Sequence, residues 1–195
     1  GDCGDHDPPQ RRTSFHGRHY SFRERYNAKV SRSADRVDRI QEQWRRERPD
    51  LDVSPQGIFG RLHRLSDALR RDLIAVYEQH GLGEGDFDIL ATLRRGGEPF
   101  QLAPGELARH TMVTTGAVTK RLDRLEAAGL VARRTSESDG RGRVVALTAA
   151  GRRVIDDAFG AHMRNEHRLL AALDEQERAR LEDLLRRWLR GIGQD

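Results

Sequence analysis

The strongest constraint on the fold is a run of structural punctuation between residues 104 and 147. Pro104 opens a short helical segment that reaches His110 and is anchored by Leu107. A turn through Met112 and Val113 follows. Residues 114–128 then place Val118, Leu122 and Leu125 at the three-to-four spacing of one helix face. Gly129 stands where a left-handed C-terminal cap belongs, and Leu130 follows as its hydrophobic partner. Residues 130–135 and 143–147 are β-type runs on either side of a polar stretch, Ser136-Glu137-Ser138-Asp139-Gly140-Arg141-Gly142. That pattern predicts a hairpin with a long charged tip. Helix, turn, helix and hairpin, in that order, make a winged helix-turn-helix.

The flanking sequence predicts a helical frame. Ser33 can cap a helix carrying Val37, Ile40 and Trp44, which ends before Pro49. Ser54-Pro55 starts a longer one, with Ile58, Leu62, Leu65, Leu69, Leu73 and Val76 in a stripe, and Gly81-Leu82-Gly83 stops it. Residues 86–95 form a third helix with Phe87, Leu90 and Leu93 inward. Thr148 caps a helix to about Leu170. Asp174 and Glu177 make a capping-box pattern for the last helix, which carries Leu181, Leu184, Leu185, Trp188, Leu189 and Ile192. The expected fold class is mainly α with a small β-hairpin, a winged helix-turn-helix on an α-helical dimerisation frame. Residues 1–32 show no apolar period and are expected to be a disordered, basic tail. Residues 33–83 are read as N-terminal helices for dimerisation and ligand binding, 84–148 as the winged module, and 149–195 as C-terminal dimerisation helices.

Composition narrows the function. Of 195 residues, 36% are hydrophobic and 34% charged, so the surface is wet, the core is modest and a second subunit would help to bury the apolar stripes. Lys and Arg total 35 against 31 for Asp and Glu, and only Lys29 and Lys120 are lysine. Guanidinium is a planar fork suited to phosphate. The single cysteine, Cys3, excludes an intrachain disulfide and a zinc ribbon, and it lies too far into the tail for a redox switch near the core. The histidines form no i,i+4 pair, so no zinc motif is written on one helix face. There is no nucleophile–base set and no Gly-rich phosphate loop, so an enzyme is not expected. No apolar run would span a membrane, and a cytoplasmic location is the expectation.

The second helix of the module must show short polar side chains to base edges while its other face packs on the core. Its outward positions hold Thr114, Thr115, Gly116, Ala117, Thr119, Lys120 and Arg124. Threonine can hydrogen-bond a base edge or touch a thymine methyl. Lys120 and Arg124 are placed for phosphates or guanines. Arg141 and Arg143, at and beside the Gly-rich wing tip, suit a narrow minor groove. Arg133 and Arg134, at the hairpin base, could hold phosphates. Double-stranded DNA is the expected partner.

These stretches resemble the MarR family of bacterial transcription regulators. The likeness is carried by Pro104-Gly105-Glu106-Leu107-Ala108, by residues 115–131, by the Asp139-Gly140-Arg141 wing and by Leu147-Thr148-Ala149-Ala150-Gly151. It implies a homodimeric repressor with one winged module per subunit, bound to a pseudo-palindromic operator and released by a small molecule. The chain is more closely similar to the urate-responsive, PecS-like branch, which has an extra N-terminal helix. That resemblance implies a ligand site made by Trp44, Asp88 and Arg121, taking urate or a related purine or phenolate, with no cofactor and no metal. Indole would stack on the ring, guanidinium would meet its anionic edge, and the carboxylate would accept a ring N–H. A metal-responsive regulator and a ligand-independent architectural DNA binder are the alternatives.

Overall fold

The computed structural model describes residues 34–111, 115–135 and 142–194. The proposed Ser33 cap, the Met112–Val113 turn, Thr114 and Arg141 lie outside them. The chain divides into two compact units between Arg61 and Leu62.

In the first unit, helix α1 (Arg36–Glu47) is capped by Asp35. Its carboxylate accepts from the Val37 and Asp38 amides at 2.7 and 2.9 Å, and Asp38 returns the bond to the Asp35 amide at 2.9 Å. Arg61, on helix α2 (Gln56–Gln79), donates to both carboxylates, at 2.9 and 2.7 Å. Buried Val37 packs over Gly60, where an added Cβ would sit 3.1 Å from its Cγ1. The buried Gln41 amide donates to the Val53 carbonyl at 2.9 Å and fixes the connection between the helices.

The second unit is built on α3 (Glu84–Arg95), whose Ile89, Leu90 and Leu93 are fully buried. It packs against α4 (Pro104–His110), α5 (Thr115–Ala127), α6 (Ala149–Leu169) and strand β3 (Arg143–Leu147). The sequence places the start of α3 at Asp86. The helix begins two residues earlier, because the Asp86 carboxylate reaches back to the Gly83 amide at 2.9 Å. A 3₁₀ turn (Leu170–Ala172) leads to α7 (Glu175–Gly191), capped by the expected Asp174 and Glu177 pair.

The β-structure is larger than the predicted hairpin. Strand β1 (Gln101–Leu102) adds to β2 (Val131–Thr135) and β3 in the antiparallel order β1-β3-β2, so β3 is central. Leu102 pairs with Val145, Val131 with Leu147 and Thr135 with Arg143. Two residues are too few to show alternation, so β1 has no signature in the sequence. The described residues otherwise form the mainly α, winged helix-turn-helix architecture expected from the sequence. None of the helices described is long and apolar enough to cross a membrane.

The joint between α5, the hairpin and α6 explains two motifs. Gly129 has φ +69°; its amide donates to the Glu126 carbonyl and the Leu130 amide to the Leu125 carbonyl, both at 2.9 Å. These are the two bonds of a Schellman cap. Thr148 caps α6 by accepting from the Gly151 amide at 2.9 Å and donates to the Gly129 carbonyl at 2.7 Å. One hydroxyl therefore ties the end of α5 to the start of α6. Gly151 is required by space, because an added Cβ would overlap the Leu130 carbonyl oxygen. Thr148→Ala is expected to cost about 1 kcal/mol, as for other N-cap losses. Gly151→Ala is expected to cost more, about 1–3 kcal/mol, as overpacking against a backbone carbonyl. Urea denaturation of both variants checks the order; a Gly151→Ala protein as stable as wild type would contradict this packing.

Candidate nucleic-acid interface and ligand site

Helix α5 has two working faces. Val118, Leu122 and Leu125 are buried in the core formed with α3, β2, β3 and α6. Thr119 and Lys120 are exposed on the other side. Thr115 and Gly116 occupy the first turn of the helix. Among the described residues, Lys120 has no ion pair or hydrogen bond.

Two arginines assigned to DNA from the sequence are held elsewhere in this structure. Arg124 donates through Nη2 to both oxygens of Asp86, a carboxylate whose side chain is only 5% exposed while that of Arg124 is 62% exposed. The helix position does point outward, but the long side chain bends back to a buried anion 38 residues away in sequence. Its hydrogen bond with Asp86 raises the Arg124 pKa, so the cation is secure. Arg133 straps β2 to α5: Nη2 meets Asp123 Oδ1 and Nη1 meets Glu126 Oε2, both at 2.5 Å, while its backbone amide donates to Glu126 Oε1 at 3.0 Å. The Arg133 amide first, then its guanidinium, holds the Glu126 carboxyl below the usual carboxylate range. Arg134 and Arg143 are exposed and, with Arg133 and Thr135, line a cleft of about 230 Å³ at the wing base.

The inner edge of α5 carries Arg121. Its guanidinium lies against Gly85, where any Cβ would occupy the same space. Among the described residues, Arg121 Nη1 is buried and has no hydrogen-bond partner. Glu84, beside it, is gripped by Arg70 at 2.7 and 3.0 Å, and this pairing, with a smaller contribution from the field of Arg121, lowers its pKa. Asp88 is half-buried on α3, and its charge reaches Tyr77. The Tyr77 hydroxyl is pushed up to about 12, by burial first and then by the carboxylates of Glu166, Glu84 and Asp88. Tyr77 stacks on Phe87 at 4.1 Å and meets His162 Nδ1 at 3.3 Å. Trp44, in the first unit, is 47% exposed on α1.

Sequence reasoning missed Asp86 and Gly85. The signal was present in Gly83-Glu84-Gly85-Asp86: a carboxylate three residues after a helix cap, and a glycine inside a helix where it lowers stability unless something needs the room. No group of three or more His, Cys, Asp or Glu able to hold a metal ion occurs among the described residues.

The two-faced helix, the sheet behind it and the helices around it define a winged helix-turn-helix protein. Residues 80–142 match the MarR family. The chain is 40% identical to the HTH-type transcriptional regulator PecS of Dickeya dadantii over 151 residues, which cover 77% of this chain and 91% of PecS. It is 34% identical to the HTH-type transcriptional repressor Mb2911 of Mycobacterium bovis, over 69% of this chain and 93% of that one. In structure it is similar to a MarR mutant from E. coli complexed with operator DNA, with a TM-score of 0.60 and 28% identity over 70% of this chain and 95% of MarR. The chain therefore belongs to the MarR family of transcriptional regulators, and the likeness to PecS puts it on the PecS-like branch. The relatives are regulators and not enzymes.

The Asp86–Arg124 pair gives a stability test. Arg124→Ala leaves a buried carboxylate whose one remaining partner among the described residues is the Gly83 amide, and is expected to cost about 1–3 kcal/mol. Adding Asp86→Asn removes the stranded charge and keeps a hydrogen-bond acceptor, so the double variant is expected to be more stable than Arg124→Ala alone. Denaturant titration of the cycle decides this; strictly additive losses would contradict the pairing.

Proposed function

We propose that this chain is a homodimeric repressor that acts in the cytoplasm on a pseudo-palindromic operator, and that a planar anionic ligand such as urate releases it. The observation that carries the reading is the division of α5: Thr119 and Lys120 face solvent, while Arg121 presents a buried, unpartnered Nη1 over Gly85. Small residues at the start of the helix allow close approach to the major groove, and Lys120 supplies charge to a phosphate. Arg143 and Arg134 extend the cationic surface onto the hairpin. Arg141 and Thr114 keep the DNA roles expected from their sequence positions at the wing tip and the start of the helix. Arg124 and Arg133 serve this surface indirectly, by fixing α5 to α3 and β2. The operator-bound MarR relative supports this reading.

The dimer reading rests on α7. None of its residues is buried, and Leu181, Leu184, Leu185, Leu189 and Ile192 are all exposed. An apolar stripe of that size on a charged helix supports an interface between subunits. It fits residues 149–195 as a dimerisation segment, with 84–148 as the winged module and 33–83 as the helices that complete the dimer and the ligand site.

For the ligand, an oxyanion supplies Arg121 Nη1 with the acceptor it lacks, and Asp88 accepts a ring N–H. Trp44 enters from the resemblance alone, as the stacking indole. Because Arg121 and Lys120 are neighbours on one helix, a ligand that shifts the first moves the second. Release requires unequal ligand affinity for the DNA-competent and incompetent forms.

Two tests follow from this division of α5. Footprinting is expected to protect two half-sites with centres about one helical turn apart. Lys120→Ala is expected to weaken that complex and lower its salt slope by about one, as for the loss of one phosphate contact. An unchanged slope would place Lys120 off the DNA. Urate is expected to quench tryptophan fluorescence and dissociate the complex, with Arg121→Ala losing the response and Trp44→Phe locating the quenched indole. A full urate response from Arg121→Ala would reject this pocket.

A further inference from the structure

We propose that Lys120 is a site of reversible Nε-acylation, and that acylation at this one residue weakens DNA binding; the inference rests on the operator reading above. The first observation is compositional. Lys and Arg total 35, yet only Lys29 and Lys120 are lysine, and Lys29 lies outside the described residues. Arginine keeps its charge in proteins and offers no free amine, so nearly all the positive charge of the chain is inert to acyl donors. Lysine is the residue whose charge acylation removes.

The second observation is placement. Helix α5 carries three cations: Lys120, Arg121 and Arg124. Arg121 is turned inward onto Gly85, and Arg124 is bound to Asp86. Lys120 is exposed, and among the described residues it has no carboxylate partner. On this helix it is therefore the one cation both open to solvent and uncommitted. Among the described residues, the exposed hairpin cations beside this surface are Arg134 and Arg143, both arginines. The residue whose charge can be removed coincides with the residue on which the phosphate attraction of the helix depends.

A surface that attracts a DNA phosphate also attracts the phosphoryl end of an acyl phosphate. In the reaction, Lys120 Nζ loses one proton to solvent, attacks the acyl carbonyl, and gives its second proton to the departing phosphate. The N–C amide bond forms, the C–O bond to phosphate breaks, and inorganic phosphate leaves with the bonding pair. Nothing is oxidised or reduced. The product is a neutral amide in place of an ammonium, so one phosphate contact is lost. Operator DNA, seated on the same surface, covers the amine.

The test uses the full chain incubated with acetyl phosphate, with acetyl-coenzyme A in a parallel arm, followed by peptide mass spectrometry. Lys120 is expected to be acetylated faster than Lys29, fastest with the acyl phosphate, and to be protected by operator duplex. The treated protein is expected to bind operator more weakly, with the salt slope lower by about one. For Lys120→Arg, the same treatment is expected to leave the ratio of treated to untreated affinity near one. Preferential labelling by acetyl-coenzyme A would keep the site but overturn the phosphate-recruitment step. An unmodified Lys120, or an acetylated Lys120 with an unchanged slope, would overturn the proposal while the untreated protein still binds DNA. A chain with no operator complex before treatment would overturn the operator reading itself.

Discussion

The attachment of α5 to α3 holds the winged module together. Val118, Leu122 and Leu125 meet Ile89, Leu90 and Leu93 in one buried cluster. Each such side chain contributes about 1.5–3 kcal/mol when fully buried. Two arginines fix where that apolar contact sits. Arg124 clamps Asp86 near the first turn of α3, and Arg121 lies on Gly85. The second is an unusual use of a helical glycine. It lowers helix propensity by about 1 kcal/mol relative to alanine, and here it makes room for a guanidinium. The buried Nη1 opposes folding, since an unpartnered buried donor costs about 1–3 kcal/mol. Packing offsets that cost and leaves a cation whose missing acceptor is what an anionic ligand would supply.

The same attachment extends to the wing and the frame. Arg133 straps β2 to α5 through Asp123 and Glu126, and the Thr148 hydroxyl joins the last turn of α5 to the first of α6. Gly129 makes the sharp exit, and Gly151 permits the close approach of α6 to the Leu130 carbonyl. Through these contacts α5, the hairpin and the start of α6 form one continuous piece. A displacement of Arg121 would therefore reach Lys120 and the wing through contacts that are short and directional.

The sequence carries the elements well and the pairings poorly. Helix α5, its Schellman cap, both hairpin strands and the capping box of α7 are local signals, written within a few residues, and the structure shows them. Strand β1 leaves no signal because two residues have no period, and their partners, Ala146 for Gln101 and Val145 for Leu102, lie 45 and 43 residues away. The fates of Arg124 and Arg133 differ in kind. Periodicity locates a Cα on a helix face or strand, but a guanidinium reaches several ångströms further and goes where a carboxylate waits. Asp86 is buried because Arg124 and the Gly83 amide satisfy it, and neither condition can be read from either segment alone. Arg121 is the converse case. The resemblance points it inward, and Gly85 supplies the physical reason.

In the proposed switch α5 couples a DNA face to a ligand face, and such coupling is reciprocal at equilibrium. Its most direct test is the affinity of the full-length protein for urate, measured by calorimetry with the free protein and again with operator duplex in saturating amount. Duplex is expected to weaken urate binding by the same factor by which urate weakens duplex binding. Identical urate affinities in the two states would contradict the coupling, however tightly each ligand binds.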